Sequence, residues 1–459
     1  MAVATRVDPQ PAASPGGSPE PGLPPGPRIP AILQTLAWTL APTWFMDSCA
    51  KRLGEMFTVT FAPSGMKFVM VSDPESVKTI FTAPAEVAPS AAGNSPVRPV
   101  MGDSSVVVLT GPEHMRQRKL LLPPFHGERM REYQDVIVEA TRRDMAGWPR
   151  QEPMRLHART RAITLEVILR AVFGVEAERM GPLKQAIEQL MEPMNLLAVL
   201  RIALSRPTQE RPAGAIGRAL DALDVLIYEE LRSRRAVSDL AQRTDILSLL
   251  LLARDEEGQT MTDAELRDEL VTLLLAGHET TATSVAWAIE RLIRHPEKLR
   301  RLVAEIDQGE SDEYLNAVVS ETLRVRPVVP IVARSLQEDF DLGGYRLPAG
   351  TTVAPAIYLT NRNPRVYERP AEFMPERFLG AAPETFSWIP FGGGIRRCIG
   401  ASFATLEMKL MLQTMLSELS PRIPDGWRWP GGELIRRRAI TLVPMAGAQV
   451  VWEQRAGRP

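Results

Sequence analysis

The stretch FGGGIRRCIG runs from Phe391 to Gly400 and sets one of the chain's two cysteines among four glycines and two arginines. Glycine loses more backbone freedom on folding than any other residue, so three in a row mark a place where something lies close against the main chain. Beyond it, ASFATLEMKLML reads as a helix, which puts Cys398 at a loop–helix junction. Free backbone N–H groups and the positive end of the helix dipole favour thiolate there, so a depressed Cys398 pKa is expected. Arg396 supplies a fixed cation. A metal held by one thiolate, a flat body beside the glycines and an anionic group for Arg396 together describe heme, and thiolate ligation favours O–O cleavage. A structural turn around a buried cysteine would leave the triple glycine and Arg396 without a reason.

Upstream, MTDAEL opens the longest helical pattern, with Thr262 as N-cap and Glu265 completing a capping box. Apolar residues continue to a stop at Pro296, about 30 residues on, well beyond the usual helix of about 11–12. A helix this apolar all round belongs in a domain's interior. In its middle stands AGHETT, Ala276 to Thr281, where Gly277 interrupts the pattern and Glu279 and Thr280 are polar. One reading is a tolerated glycine beside solvent-facing side chains; the other is a local widening where a small ligand sits. Further on, ETLRVRP places Glu321 and Arg324 at i, i+3 on one helix face. Their apolar neighbours point to a buried pair, which needs a third partner, and Arg377 in FMPERF is the candidate.

Composition bounds the remaining choices. The chain has 459 residues, 44% hydrophobic and 24% charged, with a formal net charge of -1. Nothing basic enough for nucleic acid stands out. Cys49 and Cys398 alone cannot form a disulfide scaffold, which fits a reducing compartment. Residues 1–24, crowded with Pro, Gly, Ser and Ala, read as disordered ahead of a single domain over 25–459. No apolar run reaches the length of a membrane span, so a soluble, cytoplasmic monomer is expected. MFTVTFAPSGMKFVMVS, from Met56, reads as a β-hairpin, and strand-like stretches return at Tyr345–Ala354, AITLVPM and AQVVWE. Helical periodicity dominates between about residues 107 and 326. The expected fold class is therefore mainly α with small β-sheets towards the two chain ends.

Together these stretches resemble the cytochrome P-450 heme-thiolate monooxygenases, from about residue 25 onward. Phe391, Gly394, Arg396, Cys398 and Gly400 match that family's heme-binding stretch position by position, and Glu321, Arg324 and Arg377 its buried network. The resemblance implies a long central helix over heme b (iron protoporphyrin IX), with Cys398 as axial ligand. It makes Glu279 the acid and Thr280 the alcohol of the oxygen-activating groove. GPEHMRQRKLL resembles the helix carrying heme-carboxylate partners, which gives His114 and Arg118 that role, and Arg334 matches a further propionate-binding arginine. Taken alone, His114 and Arg334 read as surface residues. The segment before Glu321 is shorter than in many relatives, implying a trimmed loop or helix.

The implied activity is insertion of one oxygen atom from O2 into a lipophilic substrate, of fatty acid or terpenoid type. Electrons would come from a ferredoxin or flavodoxin and an NAD(P)H-dependent reductase. The rivals are a peroxide-driven or isomerising heme enzyme and a non-catalytic heme-based sensor; an intact AGHETT weighs against both. Substrate-facing residues are expected in the 84–107 loop, the MNLLAVLRIAL stretch from Met194, Leu273–Ala276 and Val328–Val332. Their apolar, methionine-containing character suits an adaptable lipophilic pocket.

Overall fold

The computed structural model describes residues 20–91, 98–127, 129–174, 180–191, 211–212, 214–380, 383–427, 429 and 431–455. The helices that build the site are α1 (Ala31–Leu40), α2 (Pro42–Leu53), α3 (Pro74–Thr82), α4 (Gly111–Leu121), α5 (Leu156–Phe173), α6 (Asp263–Ile293), α7 (Glu313–Val325) and α8 (Ala401–Glu418). The strands that matter are β1 (Met56–Phe61), β2 (Met66–Val71), β3 (Arg334–Ser335), β4 (Thr352–Pro355), β5 (Ile435–Arg438) and β6 (Thr441–Pro444).

The 31-residue α6 is the spine, and its capping box forms as the sequence predicts. Thr262 N–H donates to Glu265 Oε2 at 2.7 Å, and Glu265 N–H donates to Thr262 Oγ1 at 3.2 Å. Two of the helix's unpaired N-terminal donors are thereby satisfied. From Thr281 to Ile293 every residue is buried. The helix packs against α5, α7, α8 and β6, which gives the chemistry a rigid wall. A short connection, residues 309–312, joins the Pro296–Gln308 helix to α7.

Three of the expected late segments, Tyr345–Leu347, Thr441–Pro444 and Gln449–Gln454, lie in three separate small sheets, while the early hairpin joins the late strand β4 in a four-stranded sheet. Its order is β1-β2-β4-β3, with the β1–β2 hairpin antiparallel, Met56 opposite Val71. β2 then pairs in parallel with β4, Phe68 opposite Thr352, and β4 pairs antiparallel with β3, Val353 opposite Arg334. Period-2 patterning identifies strands but carries no information on which distant strand they meet. Residues 1–19 of the segment expected to be unstructured lie outside the described residues. Glu20 and Pro21 pair in parallel with Tyr345 and Arg346, ahead of the expected boundary. Among the described residues no helix is long and apolar enough to cross a membrane.

Candidate active site

The FGGGIRRCIG loop is closed by its own backbone. Cys398 N–H donates to the Phe391 carbonyl at 2.9 Å, Arg397 N–H to that of Gly394 at 3.0 Å, and Ala404 N–H to that of Gly400 at 2.8 Å. Gly392 and Gly394 have φ of 67° and 64°, the left-handed region that glycine tolerates. The triple glycine has a neighbour the sequence could not name. A Cβ on Gly393 would lie 2.3 Å from the Phe81 ring, and one on Gly394 would lie 2.1 Å from the Phe81 carbonyl. These two glycines therefore admit α3, and only Gly400, with nothing within 4 Å of its Cβ position, opens onto free space. Phe391 packs edge-on against Trp388.

Cys398 is exposed at the head of α8, whereas Cys49 is buried in the core. The expected depression of the Cys398 pKa does not occur in the polypeptide alone. Although the residue is exposed, protein crowds around its sulfur, and that desolvation outweighs the Gly400 N–H, Arg397 and Arg118 and pushes the thiol up. A metal ion reverses this balance, because a coordinating thiol loses its proton outright.

Four groups from separate parts of the chain converge beside this loop: His114 and Arg118 on α4, Arg334 on β3, and Arg396. Burial and the repulsion of Arg334 and Arg118 lower Arg396 to about 10. Burial, Arg396, Arg118 and Arg334 together lower His114 to about 4, so its ring is neutral. Arg334 is buried and donates to its neighbour Ala333 O at 3.1 Å, and Arg396 donates to Val106 O at 3.1 Å and to Leu109 O. No carboxylate among the described residues pairs with Arg118, Arg334 or Arg396, and the buried His114 Nδ1 has no hydrogen-bond partner. One buried and two half-buried cations without a counter-ion are costly, so this cluster fits a ligand carrying more than one carboxylate.

On α6, Gly277 has a packing role: a Cβ there would lie 3.1 Å from Ile168 Cδ1, so the glycine lets α5 approach closely. The helix remains α-helical through AGHETT rather than opening into a bulge. Ala276 is exposed in this otherwise buried region, and Thr280 Oγ1 donates to Ala276 O at 2.7 Å. Glu279 is buried. Arg161 Nε of α5 lies 2.7 Å from its Oε2, and Arg438 Nη1 of β5 and His157 Nε2 lie 3.6 and 3.7 Å from its Oε1. Neither carboxylate oxygen has a hydrogen bond of proper direction, so charge proximity holds the group. Burial raises its pKa, but Arg161, Arg438, His157 and His278 outweigh that, and Glu279 is held ionised. The stretch from Met194 and residues 92–97, expected to face substrate, lie outside the described residues.

The family model described as Cytochrome P450 matches residues 21–430. The chain is a cytochrome P450. A Mycobacterium tuberculosis protein named "Putative cytochrome P450 135B1" is 39% identical over 437 residues, 94% of this chain and 91% of the relative. "Putative cytochrome P450 137" from the same organism is 40% identical over 402 residues, 87% and 83% of the two chains. Among solved structures, the P450DA heme domain superposes with a TM-score of 0.82 at 23% identity, covering 96% of this chain and 98% of that one. The retinoic-acid-bound cyanobacterial CYP120A1 superposes at 0.83 and 24%, covering 96% and 100%. This P450 is thus a heme-thiolate monooxygenase with a cysteine-ligated heme.

The P450's Glu321–Arg324 pair is fully buried and bidentate, Arg324 Nε and Nη2 donating to the two Glu321 oxygens at 2.6 and 2.8 Å. Arg324 Nη1 also donates to the carbonyls of Asn361 and Pro370 at 3.0 and 2.8 Å, and Nη2 to Glu372 O at 2.9 Å. Met374 N–H donates to Glu321 Oε1 at 2.7 Å. The expected third member, Arg377, stands farther off, its Nε 3.7 Å from Glu321, and it donates instead to Glu368 O and Arg369 O. Backbone groups, invisible to side-chain patterning, satisfy most of this pair.

Three acids escaped the sequence reading. Asp268 and Glu269 accept the backbone N–H groups of Ser104 and Val106, at 2.9 and 2.8 Å. They tie to α6 the segment whose carbonyls receive Arg396. Two adjacent acids inside an apolar helix were the available signal. Glu407 of α8 is buried next to Thr281, and burial raises its pKa to about 8 against an ordinary 4.5. Its folded form is neutral, so its stability contribution is complete below the unfolded pKa and declines as pH climbs towards 8. Glu407→Gln, which cannot ionise, is expected to exceed wild type by about 2–4 kcal/mol near pH 7.5 and to match it near pH 5. Melting temperatures measured at both pH values check this; a gap that did not widen with pH would place a charged carboxylate in the core.

Proposed function

We propose that this P450 inserts one oxygen atom of dioxygen into a lipophilic substrate of fatty acid or terpenoid type. Electrons come from a separate ferredoxin or flavodoxin with its NAD(P)H-dependent reductase. The observation that carries the site assignment is the convergence of Arg118, Arg334 and Arg396, which no carboxylate among the described residues pairs with, and neutral His114 beside the exposed Cys398. Cys398 would ligate the iron as thiolate, and the cation cluster would hold the propionates. When bound, the heme supplies the activation of dioxygen, as such cofactors carry the hard chemistry.

The chain's own part is position, dryness and protons. Leu273, Leu274 and Leu275 precede the exposed Ala276, so these three positions bring no polar side chain to hold water there. The Thr280 hydroxyl spends its proton on Ala276 O and keeps its lone pairs to accept a hydrogen bond from a proton-bearing water. Glu279, ionised between Arg161 and Arg438, can take a proton from the solvent side and pass it on, and each arginine limits how long it stays protonated.

Thr280→Ala is expected to keep oxidising NADH through surrogate partner proteins while releasing mostly hydrogen peroxide. Glu279→Gln should slow turnover by about 100- to 10,000-fold, the usual weight of a general acid–base group. Product and peroxide per NADH, with a control in which peroxide alone replaces dioxygen and the reductant, measure both. Wild-type coupling in Thr280→Ala would leave the alcohol a structural role. Full activity with peroxide alone would favour the peroxide-driven class. A ligand-induced spin-state screen over fatty acids, terpenoids, steroids and retinoic acid identifies the substrate class.

A further inference from the structure

Helix α1 faces the wrong way for a surface helix. Its inward side carries Gln34, Thr35, Trp38 and Thr39, all buried. Its outward side carries Ile32, Leu33 and Leu40, exposed by 42, 48 and 49%. Ile29 just before it and Trp44 on α2 extend the outward face, exposed by 41 and 64%. Positions 32, 33 and 40 share one helical face, whereas a helix on a soluble surface normally turns its polar side to water.

The inward polarity has a cause. β1 is the edge of its sheet, and its free backbone groups need partners. Gln34 Oε1 accepts Thr60 N–H at 2.9 Å, and Thr35 Oγ1 accepts Ala62 N–H at 2.9 Å. Closing that edge uses up the polar side chains of α1 and leaves its leucines outside.

The charges around this face are mostly basic. No charged residue occurs from Ile29 to Met46. Arg28, Lys51, Arg52 and Lys67 border it, all exposed, and none forms an ion pair among the described residues. Lys51 and Arg52 stand two turns beyond Trp44 on α2, and Lys67 sits beside exposed Met66 at the hairpin whose Ala62 contacts α1. The acids between Arg28 and Ser72 are Asp47 and Glu55. Asp47 accepts the Tyr358 hydroxyl at 3.0 Å and feels the charge of Arg362 and, more weakly, of Lys51, and Glu55 pairs with Arg365 at 2.7 Å.

An apolar face with an exposed tryptophan and a mostly basic rim has the chemistry of an interfacial membrane helix. We propose that the α1–α2 face seats this protein on the surface of an anionic phospholipid bilayer. Ile32, Leu33, Leu40 and Trp44 enter the headgroup boundary, and the basic rim meets the lipid phosphates. This inference stands apart from the substrate reading, since it needs only the face and its charges.

The test is flotation of full-length holoenzyme with vesicles of phosphatidylcholine plus phosphatidylglycerol, against phosphatidylcholine alone. Binding is expected on the mixed vesicles, weaker on the neutral ones, and reduced at about 1 M salt, where screening acts within about 3 Å. Leu33→Ser with Leu40→Ser should lower the partition coefficient on the order of 100-fold, from two apolar side chains lost. Lys51→Glu with Arg52→Glu should lower it more than about tenfold. An unchanged carbon monoxide spectrum shows that each variant is folded. Failure of wild type to float, or unaltered flotation of the leucine variant, overturns the proposal. So does a dimer in sedimentation that the leucine variant converts to monomer, since the face then belongs to a second copy.

Discussion

Cys398→His is expected to abolish the strongly red-shifted Soret band that reduced, carbon monoxide-bound heme shows under thiolate ligation, while Cys49→Ala leaves that band in place. The two cysteines are chemically alike in sequence and opposite in setting. Cys49 is buried in a cluster with Trp38, Phe45 and Met46, and burial pushes its thiol up to about 11. It is a small hydrophobe with no access to a ligand. Cys398 is exposed at the helix head, within reach of the charges of Arg118 and Arg397. An imidazole in its place changes the donor atom but leaves Arg396, Arg334 and His114 to hold the carboxylates, so heme content should survive better than the band. Spectra of the reduced carbon monoxide complex with heme quantified in parallel read both effects. A thiolate band persisting in the Cys398 variant would remove this residue from the iron.

Glu321→Ala and Arg324→Ala are each expected to cost about 3–5 kcal/mol and to yield little heme-loaded protein, because either leaves its partner's charge stranded in the core. The arrangement explains why the loss should be near the top of that range for Glu321. Arg324 would keep its carbonyl partners at Asn361, Pro370 and Glu372, yet carry a full charge with no counter-ion at zero exposure. Arg377→Ala should cost less, about 1–2 kcal/mol, since its bonds go to the carbonyls of Glu368 and Arg369 and its Nε stands 3.7 Å from Glu321. Urea denaturation with heme content as a second probe ranks the three. Equal losses in all of them would mean that Arg377 is a full member of the ion pair.

The sequence by itself determined the features whose causes are local. A capping box needs only Thr262 and Glu265, three residues apart, so the start of α6 was legible and its length followed from the apolar run to Pro296. The Glu321–Arg324 spacing sets two side chains on one helix face in any context, and the Gly-Arg-Cys loop carries its chemistry within ten residues. Tertiary structure decided whatever depends on a neighbour distant in the chain. Phe81 explains Gly393 and Gly394, and Ile168 explains Gly277, because a missing Cβ in sequence does not say what takes its place. Arg161 and Arg438 fix the ionisation of Glu279 from another helix and a late strand, since charge acts through space. The Cys398 pKa moved opposite to the dipole argument because desolvation depends on the whole surround. In α1 the apolar pattern alone would have turned the leucines inward. The open edge of β1 demanded hydrogen-bond partners, Gln34 and Thr35 were the residues able to meet that demand, and their turning in sent the leucines out.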